Sequence, residues 1–268
     1  MDKANILIGT SGYSYRDWIG PFYPPGLRSE DMLAYYAQEF AFNEINFSYY
    51  RLPEDRILAG MANKVPEGFL FTIKAYQSLT HQRGESVPED ARKFRAALEP
   101  LVESGKMGAV LLQFPYSFRN DPTNRSYLQF LRELFPDLPL AVEFRHRSWL
   151  KENTWELLKS LNMGYVCVDG PRLGNLVSNI VKVTSSVAYA RFHGRNASKW
   201  WDHQQAYERY DYLYSEKELA EWVPRVSWLS RQASRVFVAF NNHFGAQAVQ
   251  NARMFRTLLR QYQFTRHS

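Results

Sequence analysis

The amino-acid sequence predicts a protein of the α/β class, a single (β/α)8 barrel of the TIM type with a long loop after the seventh strand. Eight short apolar segments alternate with helical patterns, which is typical of parallel β–α–β units. The length of 268 residues suits such a barrel, which takes about 250 residues. The first strand is followed by GTSGYSY, which lacks dinucleotide-binding and P-loop spacing and so weakens a doubly wound alternative. We therefore expect one domain over residues 1–268.

The predicted strands are short runs rich in Val, Ile, Leu, Phe and Tyr, as buried parallel strands are. They are Ile6–Thr10, Asn43–Tyr49, Phe69–Ala75, Gly108–Phe114, Leu140–Arg145, Tyr165–Asp169, Val187–His193 and Arg235–Asn241.

Helical patterns lie between these strands. SEDMLAYYAQEF, from Ser29, starts with a capping residue and acids, while PEDRILAGMANK and PEDARKFRAALEPLVESGK start with Pro and acids. The other clear patterns are NRSYLQFLRELF, ENTWELLKSLN, SEKELAEWVPRVSWLSRQ and AQAVQNARMFRTLLRQY. Between the sixth and seventh strands, only GNLVSNIVKV could supply a helix.

The composition argues against several classes of protein. Hydrophobic residues make up 45% and charged residues 22%, which are values of a folded globular chain. The start of the chain lacks the apolar stretch of a signal peptide, and no run approaches the roughly 18 apolar residues of a membrane helix. We therefore expect a cytoplasmic protein with no membrane partner. The single cysteine, Cys167, lies in an apolar run, which predicts a buried thiol and no disulfide-linked partner.

Polar residues end every predicted strand, where the active site of a TIM barrel lies. Buried charges are costly unless they are paired, so this set predicts a functional pocket. The catalytic candidates are Glu143, His146, His193, Glu44 and Asp169. The substrate-binding candidates at strand ends and in the loop after the third strand are Asn46, Lys74, His81, Gln113, Arg145, Arg191, Asn241 and Asn242.

The charge pattern favours an anionic partner and no metal or other cofactor. The chain has 33 Lys and Arg against 27 Asp and Glu, a net charge of +6, which favours a small anion or nucleic acid. At the strand ends, three carboxylates face three bases, whereas a divalent cation needs uncompensated carboxylates. We expect Arg145 and Arg191 to clamp the anion and Glu143 to act as general acid or base.

Two aromatic loops add candidates for binding a flat ring. The segment Arg195–Tyr214 contains Trp200 and Trp201, and the loop after the first strand contains Trp18. Aromatic residues among basic ones can stack on nucleobases or on sugars. We include these three tryptophans among the substrate-binding candidates.

An ordered set of motifs resembles the YecE-like family, known as domain of unknown function 72. The motifs are GTSGYSYRDWIGPFYP, FNEINFSYYRLP, FTIKAYQSLTH, VLLQFPYSF, VEFRHRSW, YARFHG and FNNHFGAQAVQNA. The resemblance covers about Ile8 to Leu258 and implies a TIM barrel with one pocket at the strand ends. It also implies that all the strand-end and His81 positions named above belong to that pocket. Tyr13 and Tyr116 depart from the family's pattern. They affect the walls of the pocket, and the identity of the ligand stays open.

The sequence predicts an enzyme that acts by acid–base chemistry on a phosphate-bearing substrate: a nucleotide, a nucleic acid or a sugar phosphate. A metal-independent hydrolase or lyase fits this description. Two alternatives stay open. One is a metal-dependent barrel similar to sugar isomerases or apurinic endonucleases, which rests on fold analogy. The other is a non-catalytic protein that binds single-stranded nucleic acid.

Overall fold

Eight parallel strands pair in chain order, and the eighth pairs with the first to close a barrel. This arrangement comes from a computed structural model that describes residues 5–177 and 179–264. The strands are β1 (Asn5–Ser11), β2 (Phe42–Ile45), β3 (Leu70–Lys74), β4 (Met107–Gln113), β5 (Leu140–Glu143), β6 (Met163–Asp169), β7 (Val187–Phe192) and β8 (Arg235–Phe240). The predicted (β/α)8 barrel is confirmed. The prediction of one domain over residues 1–268 also covers positions outside the described ranges and stays a prediction.

Helices cover the outside of the barrel. The α-helices of the described ranges are α1 (Met32–Tyr36), α2 (Phe47–Tyr50), α3 (Asp55–Asn63), α4 (Val87–Glu103), α5 (Pro122–Leu134), α6 (Glu152–Ser160), α7 (Glu216–Ala220), α8 (Val223–Gln232) and α9 (Gln247–Phe264). Short 3-10 helices span Arg16–Trp18, Arg147–Trp149, Ala206–Tyr210 and Phe244–Ala246, and a π-helical turn spans Ser78–Gln82. The segment predicted as one helix from Ser215 is divided into α7 and α8, because Pro224 fits the first turn of a new helix.

Two sequence predictions about local structure are wrong. The second strand ends at Ile45, because Asn46 has helical backbone angles and α2 follows it. Ser48 therefore lies in α2 and not in the strand, and its hydroxyl donates to the backbone carbonyl of Lys74 at 2.6 Å.

The second wrong prediction is a helix between β6 and β7. Residues 170–177 and 179–186 form none, while residue 178 lies outside the described ranges. Instead, the Thr184 hydroxyl accepts the N–H of Tyr165 at 2.8 Å and donates to the carbonyl of Met163 at 2.6 Å. These bonds hold the connection in an extended path beside β6.

Side chains that point into the barrel form an apolar layer below a polar one. The apolar layer contains Leu7, Phe42, Leu70, Ala109, Leu111, Ala141, Val166, Val168, Val187, Tyr189, Phe237 and Ala239. Since inward positions recur at every second residue of a strand, the next inward positions toward the carboxyl ends are Glu44, Thr72, Gln113, Glu143 and Arg191, all buried. The barrel therefore closes its interior with apolar side chains and leaves the charged ones at its mouth.

Two expectations from the composition can be compared with the structure. Cys167 is buried and unpaired, as predicted, and burial raises the pKa of its thiol to about 12. Within the described ranges, no helix combines the length and the apolar character needed to cross a membrane.

A tyrosine hydroxyl connects β1 and β2 on the amino-terminal side of their short ladder. The ladder pairs only Thr10 with Asn43 and Ser11 with Glu44. The Tyr36 hydroxyl accepts the N–H of Thr10 at 2.9 Å and donates to the carbonyl of Phe42 at 2.9 Å.

We predict that Gly9→Ala destabilises the barrel. An added Cβ would lie 2.1 Å from the Phe42 carbonyl and 2.9 Å from the Tyr36 hydroxyl, and overpacking of this kind costs about 1–3 kcal/mol. Gly60→Ala is the control, because its Cβ meets nothing within 4 Å in α3 and should stabilise by up to about 1 kcal/mol. Denaturant midpoints measure both. Equal midpoints for Gly9→Ala and the unchanged protein would contradict the packing argument.

Candidate functional site

A cavity of about 450 Å³ opens at the carboxyl ends of the strands. Ligand sites of TIM barrels lie on this face, and this volume suits a small metabolite. The cavity is lined by Gly12, Tyr13, Ser14, Tyr15, Ile45, Asn46, Phe47, Tyr50, Lys74, Gln113, Arg145, Arg191, Tyr210, Asn241 and His243. Six of the predicted site residues are among them: Asn46, Lys74, Gln113, Arg145, Arg191 and Asn241.

The floor of the cavity is a buried ion-pair network centred on Arg191. Its Nη1 donates to Glu143 Oε2 at 2.5 Å and its Nη2 donates to Glu44 Oε1 at 2.6 Å. The Tyr189 hydroxyl donates to the other Glu44 oxygen at 2.7 Å and accepts from the Thr72 hydroxyl at 2.7 Å. One guanidinium thus connects carboxylates from β2 and β5.

The second oxygen of Glu143 is also engaged. Arg145 Nη2 forms an ion pair with Oε1 at 2.8 Å, and His193 Nε2 lies 3.1 Å from the same oxygen. The Asn241 side-chain amide lies 3.0 Å from His193 Nδ1. A neutral imidazole satisfies both contacts when Nε2 carries the proton and Nδ1 accepts from the amide. Burial and the nearby Arg145 charge lower the pKa of His193 to about 4, which agrees with the neutral form.

Both carboxylates of the network are ionised at neutral pH. Burial would raise the pKa of Glu143, but the Arg145 and Arg191 guanidinium groups outweigh it and hold the pKa well below its usual value. Burial likewise opposes ionisation of Glu44, and Arg191 outweighs it and lowers the pKa. A carboxylate held in this way is a weak base, so we infer that Glu143 orients its cationic partners.

Lys74 is the lysine of this pocket and differs from its arginines. Its Nζ forms no hydrogen bond or ion pair with any residue of the described ranges, and it lies 4.3 Å from the centre of the Tyr49 ring. Burial, reinforced by the charges of Arg191 and Arg145, lowers the pKa of Lys74 to about 7. The amine therefore changes its protonation state near neutral pH.

Aromatic side chains cover the charged network on two sides. The Arg145 guanidinium lies over the buried Trp200, with its carbon 5.7 Å from the ring centre. His81 lies edge-on against Tyr49, with the ring centres 4.9 Å apart, and its Nδ1 is 2.9 Å from the Thr80 hydroxyl. Burial and the Lys74 charge lower the pKa of His81 to about 4.

The structure does not bring Asp169, Asn242 and His146 into the cavity. Each directly follows an inward-pointing residue, so its side chain points to the outside of the barrel. Asn242 donates to the Tyr212 carbonyl at 2.8 Å. His146 Nδ1 accepts the N–H of Ser148 at 3.1 Å, as the cap of a short helix. These placements differ from our expectation that Asp169, Asn242 and His146 belong to the pocket, since none of the three lines the cavity.

Asp169 lies outside the cavity and accepts four hydrogen bonds through its carboxylate. It accepts two bonds from Arg195 at 2.9 and 2.8 Å, one from the Tyr214 hydroxyl at 2.7 Å, and one from Trp222 Nε1 at 2.7 Å. The carboxylate thereby fixes both ends of the aromatic segment 195–214. We infer a positioning role for it in place of the expected catalytic one.

The three predicted tryptophans have different environments. Trp18 is fully buried, and its Nε1 donates to the His243 carbonyl at 2.7 Å, so it packs the first loop instead of facing a ligand. Trp200 covers Arg145, as described above. Trp201 is 61% exposed and touches Tyr116, with ring centres 5.5 Å apart.

Sequence reasoning missed the stacked pair formed by Tyr15 and His243 on the cavity wall. The two rings are parallel within 1°, with centres 4.7 Å apart. Burial lowers the pKa of His243. The signal in the sequence is a histidine directly after the polar end of the last strand, but a loop has no periodicity that fixes its direction.

The acidic and histidine side chains at the barrel mouth are arranged differently from the ligands of a metal centre. Across residues 5–177 and 179–264, no group of three or more His, Cys, Asp or Glu side chains is placed to hold a metal ion. Glu44 and Glu143 are instead bonded to the same guanidinium.

The fold and the site together define a single (β/α)8 barrel with an ion-paired pocket at the carboxyl ends of its strands. The chain belongs to the DUF72 family, whose description is "Protein of unknown function DUF72" and whose model matches residues 7–267. This confirms the resemblance found in the motifs.

Relatives support this assignment along nearly the whole chain. The UPF0759 protein YunF of Bacillus subtilis is 34% identical over 270 residues, which cover 95% of this chain and 94% of the relative. The crystal structure of a DUF72 family protein from Thermotoga maritima has 41% identity and a TM-score of 0.89, covering 96% of this chain and 99% of that chain. One from Enterococcus faecalis has 31% identity and a TM-score of 0.86, covering 95% of each.

We predict that Arg191→Met destabilises the protein by about 3–5 kcal/mol at neutral pH, because it leaves the buried Glu44 without a cation and Glu143 with Arg145 as its cationic partner. The loss should shrink at about pH 4.5. In the unchanged protein, the lowered pKa values of Glu44 and Glu143 mean that stability falls as pH falls. In the variant, a buried carboxylate without a cation has a raised pKa and is stabilised by protonation.

Denaturant unfolding at both pH values measures this effect. Arg253→Met is the matched control, because Arg253 pairs with Glu39 at the surface and such pairs contribute less than about 1 kcal/mol. A loss for Arg191→Met that is equally large at both pH values would contradict the ion-pair account.

Proposed function

We propose that the protein is an enzyme that binds a small phosphate-bearing anion in the cavity at the barrel mouth and acts on it by acid–base chemistry. The observation that carries the proposal is the Lys74 amine, which has two arginines near it and no ion-pair partner among the described residues. Within the network, Glu44 and Glu143 balance Arg145 and Arg191. The protonated amine is therefore one positive charge in excess, and a bound anion removes the cost of burying it.

Neighbouring polar groups can complete the binding of such an anion. Arg145 is 14% exposed and contacts Glu143 through Nη2, and its other N–H groups form no hydrogen bond within the described ranges, so they are free for phosphate oxygens. The Oδ1 atom of Asn46 is buried without a partner, and Asn241 and Gln113 also line the cavity. These amides supply donors and acceptors for the neutral part of a substrate.

The acid–base role fits Lys74 better than the acidic residues predicted from the sequence. A general acid or base works best when its pKa lies near the working pH, and the pKa of Lys74 is about 7. Glu143 is ion-paired through both oxygens, and both ring nitrogens of His193 are engaged. We assign Lys74 the proton transfer, Arg145 the anion, and Glu143 and His193 the orientation of these groups.

We predict that the cavity binds sulfate, a dianion whose charge is constant near neutrality, and that affinity falls about five- to ten-fold between about pH 7 and pH 8. Binding raises the pKa of Lys74 and takes up a proton, so affinity is lost as pH rises through the pKa of the free protein. Titration calorimetry at constant ionic strength measures affinity and proton uptake. Lys74→Met should weaken binding and remove its pH dependence.

Lys182→Met is the control for this experiment. Lys182 is half-buried and also lies over an aromatic ring, that of Trp155 at 5.8 Å, but it does not line the cavity. Sulfate binding that is independent of pH, or equal in the Lys74 and Lys182 variants, would contradict the proposed anion site. A screen of phosphorylated metabolites for turnover then tests the enzymatic part, with Lys74→Met as the inactive variant.

Exposed aromatic rings favour a second candidate function, the binding of single-stranded nucleic acid. Tyr50 lies at the cavity edge and is 73% exposed. Tyr207 stacks on Phe244 with ring centres 5.1 Å apart, and both are partly exposed. Such rings can stack on bases while basic side chains contact phosphates.

If this second function operates, labelled single-stranded oligonucleotides should bind with an affinity that falls steeply with salt. Trp201→Ala should weaken binding by about 1 kcal/mol, or roughly five-fold. Fluorescence anisotropy over a salt series measures this. Trp228→Ala is the control, since Trp228 is exposed on α8, which packs against the outside of the barrel. No binding at low salt would reject this function and leave the small-anion proposal.

A further inference from the structure

We propose that Lys74 is a nucleophile that forms a covalent imine with a carbonyl carbon, and that the substrate is an anionic aldehyde or ketone. The identity of the anion rests on the proposed function, but the covalent step does not. Lys74 lies at the carboxyl end of β3, with its side chain on the wall of the cavity.

A lysine at this position can do chemistry that an arginine cannot. Arg145 and Arg191 already supply permanent positive charge. A lysine differs from an arginine because it can lose its proton and become a nucleophile. Desolvation and neighbouring cations are the two conditions that activate such lysines, and Lys74 meets both.

The charged groups that face Lys74 come from several elements. Arg191 on β7 and Arg145 after β5 disfavour the ammonium form, and Glu143 and Glu44 favour it. The nearby His81 is neutral at pH 7. Because burial adds to the effect of the two arginines, the pKa of Lys74 falls to about 7. An ordinary lysine has a pKa of about 10.4, so Lys74 has much more free amine at pH 7.

Other nucleophiles of the region are less well placed. Cys167 is buried, and its sulfur contacts the Lys182 carbonyl at 3.6 Å. The Ser14 hydroxyl lines the cavity but is directed at the Met32 sulfur, 3.7 Å away, without a base to activate it. The Lys74 amine lies on the cavity wall, and no side chain in the described part of the protein forms a hydrogen bond or ion pair with it.

The covalent step joins the Lys74 amine to the carbonyl carbon of the substrate and releases water. The Nζ lone pair attacks the carbonyl carbon, a C–N bond forms, and the carbonyl oxygen takes up a proton to give a carbinolamine. Loss of that hydroxyl as water gives the iminium ion. The sum is amine plus carbonyl plus one proton from solvent, giving iminium plus water. The iminium can then accept the electron pair from a bond broken at the adjacent carbon.

The surroundings of Nζ also suit the product. The iminium keeps the positive charge close to the face of the Tyr49 ring, which attracts cations. Arg145 is available to hold an anionic group elsewhere on the substrate. The cavity of about 450 Å³ limits the substrate to a small molecule.

Pyridoxal 5′-phosphate is a suitable probe, because it combines an aldehyde with a phosphate group and its imine absorbs visible light. We expect imine formation with the intact protein, followed by reduction with borohydride and location of the adduct on Lys74 by peptide mass spectrometry. The rate should be at least about ten-fold higher than at any other lysine at pH 7. The rate of imine formation at Lys74 should level off above about pH 7, whereas the rate at an ordinary lysine continues to rise up to about pH 10.

Three variants control this experiment. Lys74→Arg keeps the positive charge but cannot form an imine, and Lys74→Met removes both the charge and the amine. Each variant should abolish the fast adduct while circular dichroism reports an unchanged fold. In the Lys182→Met variant, Lys74 should be labelled at the same rate as in the unchanged protein. Adducts spread evenly over surface lysines, or fast labelling that persists in Lys74→Arg, would overturn the proposal.

Pyridoxal without phosphate separates this proposal from the anion site. If Lys74 labels fast with both aldehydes and sulfate does not compete, the imine proposal stands and the anion site fails. If sulfate binds with the predicted pH dependence but Lys74 gains no fast adduct, the imine proposal fails and the anion site stands. Fast labelling that requires the phosphate and is blocked by sulfate supports both.

Discussion

The pairing of Arg191 with two carboxylates is the interaction on which the barrel mouth depends. Its guanidinium bonds Glu44 on β2 and Glu143 on β5 from β7, so one buried cation connects three strands across the barrel. Removing such charges from water is costly, and the cost is offset only when each is paired. The network therefore fixes the positions of Arg145 and His193 through Glu143, and it forms a rigid base for the cavity above it.

This rigid base leaves Lys74 as the adaptable group of the cavity. The arginines are charged throughout the physiological range, and the network carboxylates are ionised. Lys74 has no partner in the described ranges, and its pKa is about 7. The proposed anion binding uses the protonated form of this amine, and the proposed attack on a carbonyl uses the neutral form.

The sequence was sufficient to predict the barrel and the polarity of its mouth, because alternation of strands and helices and clustering of charges at strand ends are local patterns. It was insufficient to predict which residue of a polar pair faces inward. Asp169 points outward because Val168 points inward, and that depends on the register of the closed barrel. Asn46 lies outside the strand because its backbone is helical and α2 begins at the next residue. His243 lies on a loop, whose direction no periodicity reveals.

The bonds to Asp169 have a consequence for how this fold can diversify. Arg195, Tyr214 and Trp222 converge on one carboxylate behind the barrel wall, so the two ends of the segment that carries Trp200 are held at the same point. Substitutions at the exposed Trp201 and Tyr207 leave these bonds in place, whereas a change at Trp200 removes the ring beside Arg145. The exposed middle of the segment can therefore vary in sequence while its two ends stay in place beside the cavity.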